Sequence, residues 1–265
     1  MHILTQIRVT SQVENVWMLP APPEMKPDYG IYASKTVMFS IVAGNLAVLL
    51  SLWLLRPGAT PVDGFVEGFP AFLFYAGVFL VLLGLLLYAR AVGWKRNIRD
   101  ILLTELNLQG PERVLDVGCG TGFFLIGMAE RLKSGRAIGL EPWAVRERTG
   151  PDITHTEENT RRANVADLVE LHAGEYHQLP FPDASMDAVV CGWPSRKQPT
   201  ADIMEKVIPE LWRVLKSGGR ICLVDVANIS AYQNWLKQRN AGDIKMFGPR
   251  MDYPWPCYLL IAIKP

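Results

Sequence analysis

The chain of 265 residues lacks any excess of charge of one sign. Its 27 Lys and Arg stand against 26 Asp and Glu, a net charge of +1. That excludes a nucleic-acid binder that depends on strong overall basicity. Cysteine is scarce as well. Cys119, Cys191, Cys222 and Cys257 form no C-x-x-C pair, so there is neither a disulfide framework nor zinc-ligand spacing, and no metal site is expected. They read most simply as small buried or loop residues in a reducing compartment. Two long stretches have no charge at all. Residues 37–55 and 70–89 contain 39 residues without Asp, Glu, Lys, Arg or His, and 32 of these are hydrophobic. The remainder, with hydrophobic residues near 43% and charged residues near 23%, has the balance of an ordinary globular domain. A wholly soluble protein, a many-span transporter and a disordered chain are excluded.

Each apolar stretch reaches the roughly 20 residues that an α-helix needs to cross a hydrocarbon core of about 30 Å. A signal peptide fits poorly, because the first stretch begins 36 residues in, lacks a small-x-small cleavage pattern and is followed by a second. The 14 residues between them, 56–69, suffice for a turn. Lys26, Lys35, Arg90, Lys95, Arg96 and Arg99 flank the pair, against Arg56 alone in the turn. The positive-inside bias therefore predicts an integral membrane hairpin with both termini, and all that follows, on the cytoplasmic side. Trp53, Tyr88 and Trp94 lie where interfacial aromatics anchor spans. Asn45, the strongly polar side chain at depth, is expected to bond across the hairpin or to a partner. The hairpin also offers a surface for oligomerisation.

The predicted organisation is an N-terminal cytoplasmic arm (1–36), a hairpin region (37–93), an amphipathic linker helix (94–109) and a folded domain (110–265). In that domain strands are expected at Arg113–Val117, Arg136–Glu141, 168–172, 188–191, 221–226, 244–247 and 258–263. Helices are expected at 123–133, 156–164, 203–216 and 231–239, with Gly218 and Gly219 capping the third. Alternating strands and helices define an α/β class, a seven-stranded, mostly parallel, Rossmann-like sheet ending in an antiparallel pair.

The strongest chemical signal is VLDVGCGTG, residues 114–122. A strand bearing Asp116 runs into Gly118-x-Gly120-x-Gly122, which opens the next helix. Such glycines let the backbone approach a ligand, and the helix N-terminus offers N–H donors. A dinucleotide fingerprint needs a small third residue where this chain has Phe123. Glu141 ends the second strand about 20 residues on, where an acid can hold a ribose diol.

With VLDVGCGTG, GLEPW (139–143), GEYHQLPFPDASMDAVV (174–190) and ELWRVLKSGGRICLVD (210–225), the domain resembles class I S-adenosylmethionine-dependent methyltransferases. The last two segments are similar to the quinone-type C-methyltransferases. The likeness covers roughly residues 110–265 and implies S-adenosyl-L-methionine as cofactor. Carried over, Gly118, Cys119, Gly120 and Gly122 form the cofactor loop, Glu141 holds the ribose, and Pro142 and Trp143 follow it, Trp143 either lying on the adenine or packing. Glu175 with Tyr176 would meet the adenine; Glu175 departs from the family's usual Asp. Asp116 is expected to orient the loop, or the ligand's amino group through water.

Methyl transfer from a sulfonium chiefly requires alignment; a base is needed only where the acceptor loses its proton at a cost. His155 and Asp152, in an insertion after the second strand, are the candidate catalytic pair. Trp193 and Pro194, at the carboxyl end of the fourth strand, are expected to face the acceptor. An Asn-Pro-Pro-Tyr-type tetrapeptide is absent, which weighs against protein and DNA substrates. The expectation is a membrane-anchored methyltransferase acting on a small lipophilic acceptor. The alternative is a membrane-tethered binding module that has lost catalysis.

Overall fold

The computed structural model describes residues 26–29, 34–55, 68–142, 153–196, 198–250 and 256–265. It opens with two helices, α1 (Ser34–Leu54) and α2 (Phe69–Leu106), each with a stretch long and apolar enough to cross a membrane: Val37–Leu54, mean hydropathy 2.1, and Phe69–Ala89, mean hydropathy 2.4. Their large side chains point outward. Within these stretches Phe39, Leu46, Leu49, Phe72, Tyr75, Phe79 and Leu82 are exposed, whereas the buried positions are Val37, Ser40, Gly44 and Ser51 on α1 and Pro70, Gly77 and Gly84 on α2. Val37, Gly44 and Ser51 recur every seven residues, as do Pro70, Gly77 and Gly84, so a seam of mostly small residues lets the backbones close up. A Cβ on Gly77 would lie 2.7 Å from the Gly44 carbonyl oxygen. At one end of the seam the Ser51 hydroxyl donates to the Pro70 carbonyl at 2.6 Å. Asn45 does not bond across the hairpin: its amide donates to the Ile41 carbonyl of its own helix at 2.8 Å.

The 38 residues of α2 form one helix, about 57 Å long at 1.5 Å per residue. The segment expected as a separate linker is the far part of α2, ending in a left-handed C-cap at Asn107 (φ 47°, ψ 50°). Ile98, Leu102 and Leu106, spaced four apart, are fully buried. At roughly 1.5–3 kcal/mol for each such side chain, they fasten this end of α2 to the domain.

The domain contains β1 (Arg113–Val117), α3 (Phe123–Ala129), β2 (Arg136–Glu141), α4 (Ile153–Arg162), β3 (Val169–Ala173) and β4 (Met186–Gly192). There follow α5 (Thr200–Asp202), a π-helical turn (Ile203–Val207), α6 (Ile208–Val214), β5 (Leu215–Asp225), α7 (Ile229–Gln238), β6 (Gly242–Arg250) and β7 (Cys257–Ile263). The seven strands pair in the order β3-β2-β1-β4-β5-β7-β6. The first five are parallel, and β7 runs antiparallel to both β5 and β6. The antiparallel pair is thus as expected, with the last strand inserted between β5 and β6. One core, holding Ile98, Leu102, Val114, Phe124 and Leu125, lies under α2 and α3. The other, holding Leu115, Val117, Leu211 and Tyr232, lies under α6 and α7. A parallel sheet covered on both faces in this way needs near-continuous apolar strands, and after Arg113 the rest of β1 is buried.

Several expected boundaries shift, two of them for reasons visible in the backbone. Gly218 and Gly219 do not cap the preceding helix, which ends at Val214; they lie inside β5, where the register against β4 slips between Leu215 and Arg220. Gly218 adopts φ 77°, and its N–H is taken by the Lys264 carbonyl at 2.8 Å. Helix α3 stops at Ala129 rather than at 133, because the N–H groups of Lys133, Ser134 and Gly135 all converge on the Gly110 carbonyl.

Candidate cofactor and acceptor site

The carboxyl ends of β1, β2 and β4 bring the sequence-singled residues to one edge of the sheet. Leaving β1, the chain takes left-handed φ at Gly118 (81°), Gly120 (54°) and Gly122 (88°), which glycine adopts without steric cost. A Cβ on Gly120 would meet no atom within 4 Å, so its backbone borders open space. Most loop donors, however, are engaged by the chain itself. Gly118 and Cys119 N–H bind the Leu140 carbonyl, Gly122 N–H binds the Cys119 carbonyl, and Leu125 N–H binds Asp116 Oδ2 at 2.9 Å. Asp116 therefore fixes the first turn of α3 to β1. The thiol of Cys119 is buried over Gly139, where an added Cβ would lie 2.9 Å from Sγ.

Glu141 ends β2 with 3% of its surface exposed. Its Oε2 accepts the Gly120 N–H at 3.0 Å, and its Oε1 accepts the Tyr176 hydroxyl at 2.6 Å. Glu175 lies half-buried beside Tyr176 in the loop after β3, and Gly174 N–H donates to the Glu141 carbonyl at 3.3 Å. Pro142 follows directly, half-buried. A buried carboxylate facing an open glycine backbone fits a ligand carrying a polyol such as ribose. Trp143 and Asp152 lie outside the described residues.

Helix α4 supports the loop through side chains that the sequence reading had not assigned. Thr156 Oγ1 donates to the Gly120 carbonyl at 2.6 Å, and Asn159 Nδ2 donates to the Thr121 carbonyl at 3.0 Å. The signal was present: α4 has a single apolar residue, Ile153, yet Thr156, Asn159 and Thr160 form an uncharged face between Glu157, Glu158, Arg161 and Arg162. That face is buried. His155 is exposed on the same helix, and the structure does not bring it onto the loop with Thr156.

The N-terminal arm also reaches this loop. Asp28 pairs its N–H and carbonyl with the Asn159 side chain, and the Tyr29 ring meets Phe123 edge-on at 5.4 Å. Arg99 of α2 lies over the rings of both Tyr29 and Phe123, donates to the Tyr29 hydroxyl at 3.4 Å and pairs with Glu130. Expected as a membrane-flanking charge, Arg99 also ties α2 to the helix that follows the glycine loop. Burial raises the Tyr29 phenol above its ordinary value against the opposing effect of Arg99, so it stays protonated while its oxygen accepts from Arg99.

At the carboxyl end of β4, Trp193 takes a left-handed backbone (φ 53°), of order 1–3 kcal/mol for a bulky residue. Its N–H binds the Val224 carbonyl at 2.6 Å, and its ring stacks on Phe124 at 5.6 Å. Pro194 is buried next to it. The turn is anchored by Asp225, fully buried at the end of β5, which accepts Ser195 N–H (3.1 Å), the Ser195 hydroxyl, Val226 N–H (2.8 Å) and the Tyr232 hydroxyl (2.8 Å). Burial, then Asp225, pushes the Tyr232 phenol far above its ordinary range. All four cysteines are buried free thiols. Burial, reinforced by Asp225, pushes Cys257 up to about 12, so it is no nucleophile at neutral pH. Among the described residues no cluster of three or more His, Cys, Asp or Glu suits a metal ion.

Comparison with known proteins agrees with this architecture. Residues 114–219 match the sequence family described as a methyltransferase domain. The demethylmenaquinone methyltransferase of Lactiplantibacillus plantarum is 33% identical over 135 residues, 50% of this chain and 53% of that protein. That of Listeria welshimeri is 36% identical over 140 residues, 51% and 52% of the two chains. The chain thus spans about half the length of these curated relatives. Among solved structures, an O-methyltransferase of Thermotoga maritima described as SAM-dependent aligns with a TM-score of 0.51 at 17% identity, covering 63% of this chain and 64% of its own. A geranyl diphosphate C-methyltransferase of Streptomyces coelicolor, solved with S-adenosyl-L-homocysteine, aligns with a TM-score of 0.53 at 14% identity, covering 68% and 82%. Residues 114–219 are thus similar to a methyltransferase domain, on an α/β fold that these solved structures share.

Proposed function

We propose that the whole chain is a membrane-anchored methyltransferase that uses S-adenosyl-L-methionine to methylate a small lipophilic acceptor, with a quinone-type ring bearing a lipid tail as the favoured class. When bound, the cofactor supplies a methyl group already activated on a sulfonium. Glu141 holds the ribose diol beside the open backbone of Gly120, Asp116 keeps the loop seated on α3, and Trp193 with Pro194 walls the acceptor side. His155, exposed on α4, is not assigned the proton.

The observation that carries this reading is the continuity of α2: one helix runs from an apolar, outward-facing stretch to Arg99, which packs on the loop's own helix. A soluble acceptor would give such a tether no purpose. The name shared by the relatives, demethylmenaquinone methyltransferase, supports a quinone. The flanking basic residues support placing both termini and the domain on the cytoplasmic side.

The test is incubation of purified full-length protein with S-adenosylmethionine carrying a labelled methyl group, together with membrane extract or with a soluble metabolite pool. Label in the organic phase of the membrane reaction is expected. Label only in soluble product sinks the lipophilic acceptor, and S-adenosylhomocysteine binding without turnover in either arm indicates a binding module.

A further inference from the structure

We propose that the Ser195 hydroxyl accepts a hydrogen bond from a hydroxyl group on the methyl acceptor, and that buried Asp225 is the positioning residue that gives it this role. The inference rests on the lipophilic-acceptor reading above and adds the group that orients the acceptor's ring.

The placement follows from the strand order. From β1 the chain proceeds to β2 and β3 on one side, whereas β4 and β5 lie on the other. In an open α/β sheet the ligand crevice forms outside the carboxyl ends of the strands, where the order reverses; here that is between β1 and β4. Val117, the last residue of β1, pairs with Cys191 of β4. The glycine loop therefore leaves one bank of the crevice, and the turn over 193–195 leaves the other. The Trp193 ring stacks on Phe124 of α3, which ties this turn to the helix that the glycine loop opens. Ser195 is half-buried on its bank, and the Asp225 carboxylate it binds is fully buried.

Asp225 decides where the Ser195 proton points. A carboxylate has about four lone-pair sites. Oδ1 accepts the Ser195 hydroxyl and the Val226 N–H at 2.8 Å, and Oδ2 accepts the Ser195 N–H at 3.1 Å and the Tyr232 hydroxyl at 2.8 Å. Donors on both oxygens hold the plane of the carboxylate. Two of them come from Ser195 itself, which fixes its backbone and its side chain together. A serine hydroxyl has one proton and two lone pairs. With the proton given to a buried carboxylate, the oxygen can only accept from a further group. A hydroxyl on the methyl acceptor supplies that donor, whereas an ether oxygen in the same place sets lone pairs against lone pairs. The repelled group then contributes to specificity along with the bound one.

The experiment is equilibrium dialysis on the detergent-solubilised full chain saturated with S-adenosylhomocysteine, so that no turnover occurs. The probes are a geranyl-substituted 1,4-naphthohydroquinone, kept reduced with dithionite, and its dimethyl ether. Wild type is expected to favour the hydroquinone. Ser195→Ala should bind it about three- to tenfold more weakly, as for one neutral hydrogen bond, with the ether affinity changed by less than about twofold. Ser195→Thr, which keeps the hydroxyl, should keep the preference. Asp225→Asn sets an amide donor against donors and should lose the preference as Ser195→Ala does. In the Ser195→Ala background it should alter the ratio of the two affinities by less than about twofold. Tyr232→Phe takes one donor from Asp225 and leaves both Ser195 bonds, so it should lower Tm and retain the preference.

Equal loss of both probes in Ser195→Ala would mean that the serine only supports the turn, and overturns the proposal. So does an unchanged preference in that variant, or a lost one in Ser195→Thr. An unchanged preference in folded Asp225→Asn overturns the positioning role. If Asp225→Asn does not fold, Tyr232→Phe decides that role: a lost preference at intact S-adenosylhomocysteine affinity overturns it. Wild type that holds S-adenosylhomocysteine but binds neither probe overturns the reading of a ring-bearing lipophilic acceptor, an outcome distinct from binding without Ser195 dependence.

Discussion

Asn159 holds the backbone of Asp28 from both sides. Its Oδ1 accepts the Asp28 N–H at 2.9 Å, and its Nδ2 donates to the Asp28 carbonyl at 2.8 Å while also donating to the Thr121 carbonyl at 3.0 Å. One buried amide thus reads the arm ahead of the hairpin and the glycine loop at once. Replacing Asn159 by Ala removes these partly buried hydrogen bonds, each worth about 0.5–1.5 kcal/mol net. The expected result is a lower Tm for the detergent-solubilised protein and weaker S-adenosylhomocysteine binding. An unchanged affinity despite a lowered Tm would separate the arm from the cofactor loop.

Two glycines make a paired prediction. Gly139 lies inside β2, where a Cβ would sit 2.7 Å from Leu125, 2.9 Å from Cys119 and 3.0 Å from Leu171, whereas one on Gly120 would meet open space. Gly139→Ala should cost about 1–3 kcal/mol by overpacking, visible in thermal melts, with cofactor affinity falling only as folding does. Gly120→Ala should keep most of the stability apart from the strain of φ 54°, yet lose S-adenosylhomocysteine affinity by more than an order of magnitude in calorimetry. Equal affinity losses in the two folded variants would contradict the assignment of the open side of Gly120 to the ligand.

The loop before β4 carries an acid-sensitive clamp. Glu210 accepts Arg213 Nε at 2.7 Å, Arg213 Nη2 at 2.8 Å and the Leu179 N–H at 2.8 Å, while Arg213 also reaches Asp183 and the carbonyls of Phe181 and Leu179. The Arg213 guanidinium is the main cause holding Glu210 below its ordinary 4.5. A depressed acid contributes stability that is fully present above 4.5 and is lost as pH falls through the folded value. Glu210→Gln should therefore melt lower than wild type at pH 7, and the gap should close below about pH 4.5. A gap that stays constant down to pH 3 would remove Glu210 from the clamp.

The hairpin makes a separate prediction about its two faces. Leu82 is exposed in the middle of the apolar part of α2, and Gly77 abuts Gly44. Leu82→Arg places a charge at mid-span, about 2.5–3.5 kcal/mol on insertion scales, and should reduce recovery from carbonate-washed membranes. Gly77→Val should leave that recovery intact while lowering Tm in micelles, because the added carbons meet backbone. Carbonate-resistant recovery of Leu82→Arg equal to wild type would argue against lipid on that face.

Much of the domain could be read from one sequence because its signals are local. The bounds of β1 and β2 follow from short apolar runs beginning at Arg113 and Arg136, and the glycine loop announces itself between Asp116 and Phe123. What escaped depends on distant backbone. The carbonyl that Gly218 meets belongs to Lys264, and the amide that binds Asp28 lies 131 residues away. The helix expected over 203–216 is broken into a π-turn and α6; Pro209, which has no N–H to give the preceding turn, sits just past the break. The further contacts of Arg99 escaped because Tyr29, Phe123 and Glu130, which surround it, lie far from it in the sequence.

Because α2 does not break, it sets a working height. The apolar stretch ends at Ala89 and Arg99 grips the loop's helix ten residues later, about 15 Å along the axis at 1.5 Å per residue. With the hairpin in a bilayer, the reactive edge of the domain can neither sink to the hydrocarbon nor drift from it. For the lipid-tailed acceptor proposed above, the ring would have to rise by a comparable distance while the rest of it stays dissolved in lipid. Tail length would then be a kinetic variable: molecules whose tails exceed that rise would stay anchored throughout the visit, and those with shorter tails would have to leave the membrane.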